Sequence, residues 1–245
     1  MIHRMIADES PKTPTLGTPD SEVLDAGAFH EKIVTFIEQE LPVWRSRPEV
    51  SQVTDEPNLN QSLCLHLDKA SRRQGFDSVR FLQEPIQTSG RNADIGVMPM
   101  DNIMVEGICY HDFEQLLPIE CKRLPTPSGS RRNDLEYVHG MPEHRTGGIE
   151  RFKHGHHGPT NPRALIIAYV QAKSFAHWLT AINSRLAKLA TDGADDGLWN
   201  PSEPLTNCAP SQSADTQRLK SSHRRLKPPC SSDKVEMEHI WLRMN

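Results

Sequence analysis

Apolar residues first fall into step at Phe29, Ile33, Phe36, Ile37 and Leu41, a three- and four-residue spacing that makes one face of a helix starting near Ser21. Pro42 is expected to end that helix, because proline has no amide hydrogen and its ring crowds the preceding turn. A second helix is predicted from about Glu56, with Thr54 or Asp55 as its cap, Pro57 in its first turn and Gly75 as its stop. Leu59, Leu63, Leu67 and Ala70 form its inward stripe, and Glu56 lies three residues before Leu59 on the same face. A carboxylate there is costly unless a cation or a hydrogen-bond donor meets it.

Beyond Gly75 the pattern shortens to strands, expected at 78–82, 92–98 and 118–124, with 104–110 as a further short strand or part of a long hairpin loop. Residues 134–153 read as mostly helical, broken at Gly140 and at Gly147-Gly148, with Thr146 capping a second piece that carries Ile149 and Phe152. The run 164–170 is continuously apolar, as in a strand buried on both faces of a parallel or mixed sheet. A helix over 174–190 follows, with Phe175, Trp178, Leu179, Ile182, Leu186 and Leu189 inward; then come a loop over 191–216 and strands over 217–223 and 235–244. Trp178 and Trp241 both sit in periodic apolar patterns and are assigned to the core. Residues 1–20, rich in Pro, Thr, Ser and acids without periodicity, are expected to be a disordered tail on a single mixed α/β domain spanning 21–245.

Composition narrows the class. The 36% of hydrophobic residues implies a real core diluted by polar loops. No apolar run is long enough to span a bilayer and no leader pattern opens the chain, so the expectation is a cytoplasmic protein with no membrane partner. Five scattered cysteines, none in a CxxC pair, argue against a disulfide scaffold or zinc ribbon. The run His154-Gly155-His156-His157-Gly158 lacks a nearby cysteine to complete a zinc site and reads as a polar loop. No GxxxxGK[ST] loop is present, which excludes an ATP motor of that type within this sequence.

The net charge is −4, yet between Lys122 and His157 seven Lys and Arg face four acids. A local basic window on an acidic chain suits a polyanion and equally suits a solvated surface. Arg123, Arg145, Arg151 and Lys153 are the candidate phosphate contacts, the last three because they flank glycines whose amides can approach an anion.

The candidate chemistry lies in Asn92-Ala93-Asp94-Ile95-Gly96-Val97 and Pro118-Ile119-Glu120-Cys121-Lys122-Arg123-Leu124. Strand alternation puts Glu120 and Lys122 on one face, with Ile119 and Cys121 on the other. Should the strand after Asp94 pair alongside, two carboxylates converge and repel unless a cation joins them, and hard oxygen donors favour Mg²⁺ or Mn²⁺. Lys122 is then placed to orient a water and to balance charge developing on a phosphate.

Asp94 followed by Glu120-x-Lys122, with Glu56 on the preceding helix and the order helix, three strands, helix, strand, resembles the PD-(D/E)XK nuclease superfamily. The resemblance covers about 56–190, and Tyr137-Val138-His139-Gly140, Gly147-Gly148-Ile149-Glu150-Arg151-Phe152 and Ala168-Tyr169-Val170-Gln171 look like the small bacterial members, some associated with restriction or anti-phage defence. It implies a restriction-endonuclease-like αβββαβ core, a central mixed sheet flanked by helices, with the C-terminal strands extending the sheet. It also implies a Mg²⁺- or Mn²⁺-dependent endonuclease or exonuclease acting on DNA more than RNA, as a homodimer or within a larger assembly. Asp94, Glu120 and the backbone carbonyl of Cys121 would ligate the metal, Lys122 would position or help deprotonate the attacking water, and Glu56 would reach the metal through water or bind a second ion. Gln171 would add polarity at the end of the buried strand. The chain departs from the simplest pattern in having Ile-Gly after Asp94 and 25 residues between Asp94 and Glu120. The competing reading keeps the fold without catalysis, as a nucleic-acid-binding or scaffolding subunit.

Overall fold

The computed structural model describes residues 26–245 apart from 54, 86–91, 106, 128–134, 142–146 and 209–210. The expected tail over 1–20, the Thr54 and Thr146 caps and Arg145 lie outside the described residues.

Helix α1 (Ala26–Arg45) buries Phe29, Ile33, Ile37, Leu41 and Trp44 and continues through Pro42, which was expected to stop it. Proline removes one helical bond, but Leu41 and Trp44 on either side are fully buried, and their packing outweighs that loss. Helix α2 (Glu56–Arg73) starts as expected: the Asp55 side chain accepts the Asn58 amide and Pro57 occupies the first turn.

Strands β1 (Val79–Gln83) and β2 (Ile95–Pro99) come next, and the 104–110 segment resolves into a separate two-stranded hairpin, β3 (Ile103–Val105) with β4 (Ile108–Tyr110). Strand β5 (Leu117–Leu124) leads to a short helix α3 (Gly148–Lys153), strand β6 (Arg163–Val170) and helix α4 (Phe175–Thr191). The remainder holds the four-residue helix α5 (Ala194–Gly197) and strands β7 (Thr206–Asn207), β8 (Thr216–Arg224) and β9 (Lys234–Arg243).

The main sheet runs β1-β2-β5-β6-β9-β8-β7, with β5-β6 and β6-β9 parallel and the other pairs antiparallel. It is a seven-stranded mixed sheet flanked by helices. One face, carrying Cys121, Ile167, Tyr169 and Ile240, packs on α1 and α2; the other, carrying Ile166, Ala168 and Trp241, packs on α3 and α4. That two-sided burial explains the unbroken apolar run of β6.

Among the described residues of the expected helical stretch over 134–153, only α3 is helical; 134 and 142–146 lie outside the described residues. Residues 135–138 form turns whose carbonyls cap the helix that follows. Glu136, Tyr137 and Val138 accept the amides of Gly148, Ile149 and Glu150, the first free donors of α3. The backbones come so close that a Cβ on Gly147 would lie 2.1 Å from the His139 Cα.

A loop over 154–161 follows α3 and is clamped by Arg225. Its guanidinium donates to the carbonyls of Phe152 (3.1 Å), Gly158 (2.7 Å) and Asn161 (2.8 Å). Gly158 has φ +49°, and a Cβ there would sit 2.8 Å from Pro118 Cγ. Gly158→Ala is therefore expected to destabilise the fold by about 1–3 kcal/mol, read as a lower midpoint in chemical denaturation.

Candidate metal-binding charge cluster

Strand β2 accompanies β5 only as far as the Ile95–Ile119 pair. Past that point the two chains part, and the Asp94 side chain takes over from the ladder: its Oδ2 accepts the Cys121 amide at 2.7 Å. Asp94 thereby comes to rest beside Glu120, close enough for each charge to act on the other. In the ladder with β6, Glu120 pairs with Ile166 and Lys122 with Ala168, so both side chains share one sheet face.

Glu120 is fully buried. Its Oε1 meets Lys122 Nζ at 2.8 Å and Arg151 Nη1 at 2.7 Å. Lys122 Nζ also lies 3.5 Å from Glu56 Oε1 at the start of α2. The second oxygen, Oε2, lies 3.1 Å from His157 Nδ1, but the two are out of hydrogen-bond alignment and neither atom has another hydrogen-bond partner. The structure thus brings Glu56, Asp94, Glu120 and Lys122 together and adds two residues, Arg151 and His157.

The charges set one another. Burial alone would push Glu120 up, but the charges of Lys122, Arg151 and His157 overcome it and hold the carboxyl well below the usual range. Burial would likewise lower Lys122, and the carboxylates of Glu120, Glu56 and Asp94 reverse that and keep it firmly protonated. Asp94 goes the other way: burial and the neighbouring Glu120 charge lift it to about 7, against the pull of Lys122 and the Cys121 amide. The two carboxyl groups are thus shifted in opposite directions by their surroundings.

Asp94 and Glu120 are the acids of this cluster that could hold a divalent cation, but among the described residues no three of Glu56, Asp94, Glu120 and His157 bring their donor atoms within 4.8 Å of one another. Both available directions of Oε1 are taken, whereas Oε2 is buried with no aligned donor, and Asp94 stands beside the same carboxyl group. Mg²⁺ needs only one or two carboxylates and keeps several waters. Among the described residues, the one group whose three donor atoms all lie within 4.8 Å is elsewhere: Glu150, His154 and Asp195. Its members have structural duties, since Glu150 Oε2 accepts the amides of Gly140 and Gly147 and Asp195 Oδ2 accepts from Trp199 Nε1.

No protein-family model, curated protein or solved structure matches this chain. Function therefore has to be argued from the side chains.

Each candidate phosphate contact among the described residues is engaged by a neighbouring side chain. Arg151 turns into the cluster and pairs with Glu120, and Arg123 Nε donates to Gln171 Oε1 at 2.9 Å. Lys153 is a correction: it is wholly buried, 2.7 Å from Glu203 Oε2 and 4.8 Å from the centre of the Trp199 ring, so it cannot touch a phosphate. Helical spacing places Arg151 and Lys153 on different sides of α3, and each finds its own acid.

Glu203 opens a buried polar chain: His223 Nδ1 lies 3.3 Å from it, Ser221 Oγ 2.7 Å from both His223 Nε2 and His239 Nε2, and Tyr137 Oη 2.6 Å from His239 Nδ1. Burial holds His223 and His239 below the ordinary histidine value of 6.5. Burial also raises Glu203, but His223 and Lys153 outweigh it and bring it down to about 2. Each of these groups binds protons more weakly folded than unfolded, so its stabilisation is present above the unfolded value and lost on acidification. Denaturation midpoints are expected to fall as pH drops below about 6.5 and again below about 4.5, and Glu203→Ala, which strands Lys153, to cost about 3–5 kcal/mol at neutral pH.

Proposed function

We propose that this protein is a divalent-metal-dependent nuclease that hydrolyses phosphodiester bonds, in DNA in preference to RNA, using Asp94, Glu120 and Lys122. The observation that carries the reading is the fork between β2 and β5, where Asp94 accepts the Cys121 amide and feels the charge of Glu120, whose carboxylate pairs with the buried Lys122 ammonium. The element order also supports a restriction-endonuclease-like core: α2, an antiparallel β1-β2-β5 meander, α3 and a β6 parallel to β5.

Asp94, Glu120 and the Cys121 carbonyl are the residues that would hold Mg²⁺ or Mn²⁺. Such an ion supplies a water of lowered pKa and a positive charge for the phosphate oxygens. Lys122, firmly protonated between Glu120 and Glu56, holds the attacking water by donating to it and offsets the charge that develops on the phosphate. Glu56 keeps Lys122 in position and stands ready to take up a proton from that water. Arg151, the least buried cation of the cluster, can exchange Glu120 for a phosphate oxygen. Arg123, beside Gln171 at the ends of β5 and β6, is placed to add a further backbone contact.

A second reading, a nuclease-fold protein that binds or scaffolds nucleic acid without cutting it, draws support from the near-complete enclosure of Glu120 by Lys122, Arg151 and His157. Incubation with plasmid, linear and single-stranded DNA separates the two. The first predicts cleavage that requires Mg²⁺ or Mn²⁺ and drops by about 100-fold or more in Asp94→Ala, Glu120→Gln and Lys122→Ala. Cleavage that survives both acid substitutions sinks it. Salt-sensitive DNA binding without cleavage, indifferent to EDTA, establishes the second.

A further inference from the structure

We propose that Glu150, His154 and Asp195 form a second metal site, separate from the Glu120 cluster, which takes Zn²⁺ or a similar first-row transition-metal ion and fastens α3 to α5. The inference goes beyond the nuclease reading and does not depend on it.

Three observations carry it. First, the donor atoms are already assembled. One carboxylate oxygen each from Glu150 and Asp195 and one ring nitrogen of His154 all lie within 4.8 Å of one another. Around an ion with bonds of about 2.0–2.2 Å, any two donors stand about 3–4.4 Å apart, so small rotations close the set. His154 Nε2 and Asp195 Oδ2 are already 3.1 Å apart. Local structure supplies half of this. Glu150 and His154 are four residues apart at the end of α3, so their side chains fall on one face. His154, expected in a polar loop, is instead buried.

Second, Glu150 is a buried carboxylate that no cation meets. It is 4% exposed, and among the described residues its hydrogen bonds are the two that Oε2 accepts from the Gly140 and Gly147 amides. Oε1 has none, and no Lys or Arg pairs with the group. A carboxylate taken out of water in this way is costly unless a positive charge joins it.

Third, the ligands are held from behind and reached from outside. The two glycine amides fix Glu150, and Trp199 Nε1 donates to Asp195 Oδ2 at 3.2 Å, the kind of outer support that orients metal ligands. His154 and Asp195 line a cleft of about 360 Å³, which gives an ion a way in and leaves its open positions to water. Arg224 and Lys227 also line the cleft, but both are exposed, so solvent weakens their repulsion more than it weakens the pull of the buried acid. One imidazole with two carboxylates suits Zn²⁺ and its neighbours, whereas Mg²⁺ and Ca²⁺ take oxygen donors throughout.

The test uses the full chain, stripped with EDTA and then given Zn²⁺ alone, followed by calorimetry and thermal unfolding. The expected result is one Zn²⁺ that still binds in the double variant Asp94→Ala, Glu120→Gln and raises the unfolding midpoint. Affinity should fall at least about tenfold in His154→Gln, in Asp195→Asn and in Glu150→Gln, which keeps an oxygen for the two amides. X-ray absorption of the Zn²⁺-loaded wild-type protein should show nitrogen and oxygen ligands that include an imidazole. A sulfur ligand in that spectrum, no Zn²⁺ binding at all, or affinity unchanged in both His154→Gln and Asp195→Asn overturns the site. Zn²⁺ binding abolished by Asp94→Ala alone overturns it too and assigns the ion to the Glu120 cluster. Asp195→Asn alters one atom of a partly exposed residue, so it serves where another variant folds poorly. Failure here leaves the nuclease reading standing, because that reading rests on Asp94 and Glu120.

Discussion

An ionised carboxylate in the middle of a sheet governs this molecule. Glu120 sits on β5, paired with Ile166 in the centre of the fold, where an uncompensated charge costs several kcal/mol. Lys122, Arg151 and His157 surround it from three separate stretches of chain. Ordinary packing would place an aliphatic residue at such a position. The surrounding elements are arranged around the charge.

Each neighbour arrives by a distinct backbone device. The parting of β2 from β5 after Ile95 releases the Cys121 amide, and Asp94 satisfies it, which anchors a second carboxyl beside the first. The turn over 135–138 supplies carbonyls to the start of α3 and so fixes the direction from which Arg151 enters. Arg225 holds the loop that carries His157. These three devices belong to different parts of the chain and converge within one charge cluster. Behind them, the buried chain from Glu203 through His223, Ser221 and His239 to Tyr137 ties α3 to β8 and β9 and engages the lysine at the end of that helix.

Much of the fold was legible because it follows from local periodicity. The helical stripes of α1, α2 and α4 and the apolar run of β6 reproduce the expected spans within a few residues over the described chain, apart from the passage of α1 through Pro42; the expected start near Ser21 lies outside the described residues. The Asp55 cap of α2 was readable because capping uses the adjacent residues alone. Pro42 misled because helix propensity is a weak local term and Trp44 is bound by tertiary packing. The 134–153 segment misled more thoroughly. Its apolar residues have helical spacing, but over 135–138 the chain forms turns whose carbonyls bond to the start of α3, with a close backbone approach at Gly147.

Sequence alone determined the candidate acids and the lysine: Glu120 and Lys122 face the same way on any β-strand, and Glu56 precedes a buried stripe on any helix. Only the tertiary structure decided which basic residues serve the cluster. Arg151 and Lys153 look equivalent along the chain, yet one meets Glu120 and the other Glu203. The same holds for His157, which reads as one polar loop residue among several until the chain folds it against a buried oxygen. The physical reason is range. Periodicity and capping act over a few residues, whereas a buried charge selects its partners by proximity across the whole chain.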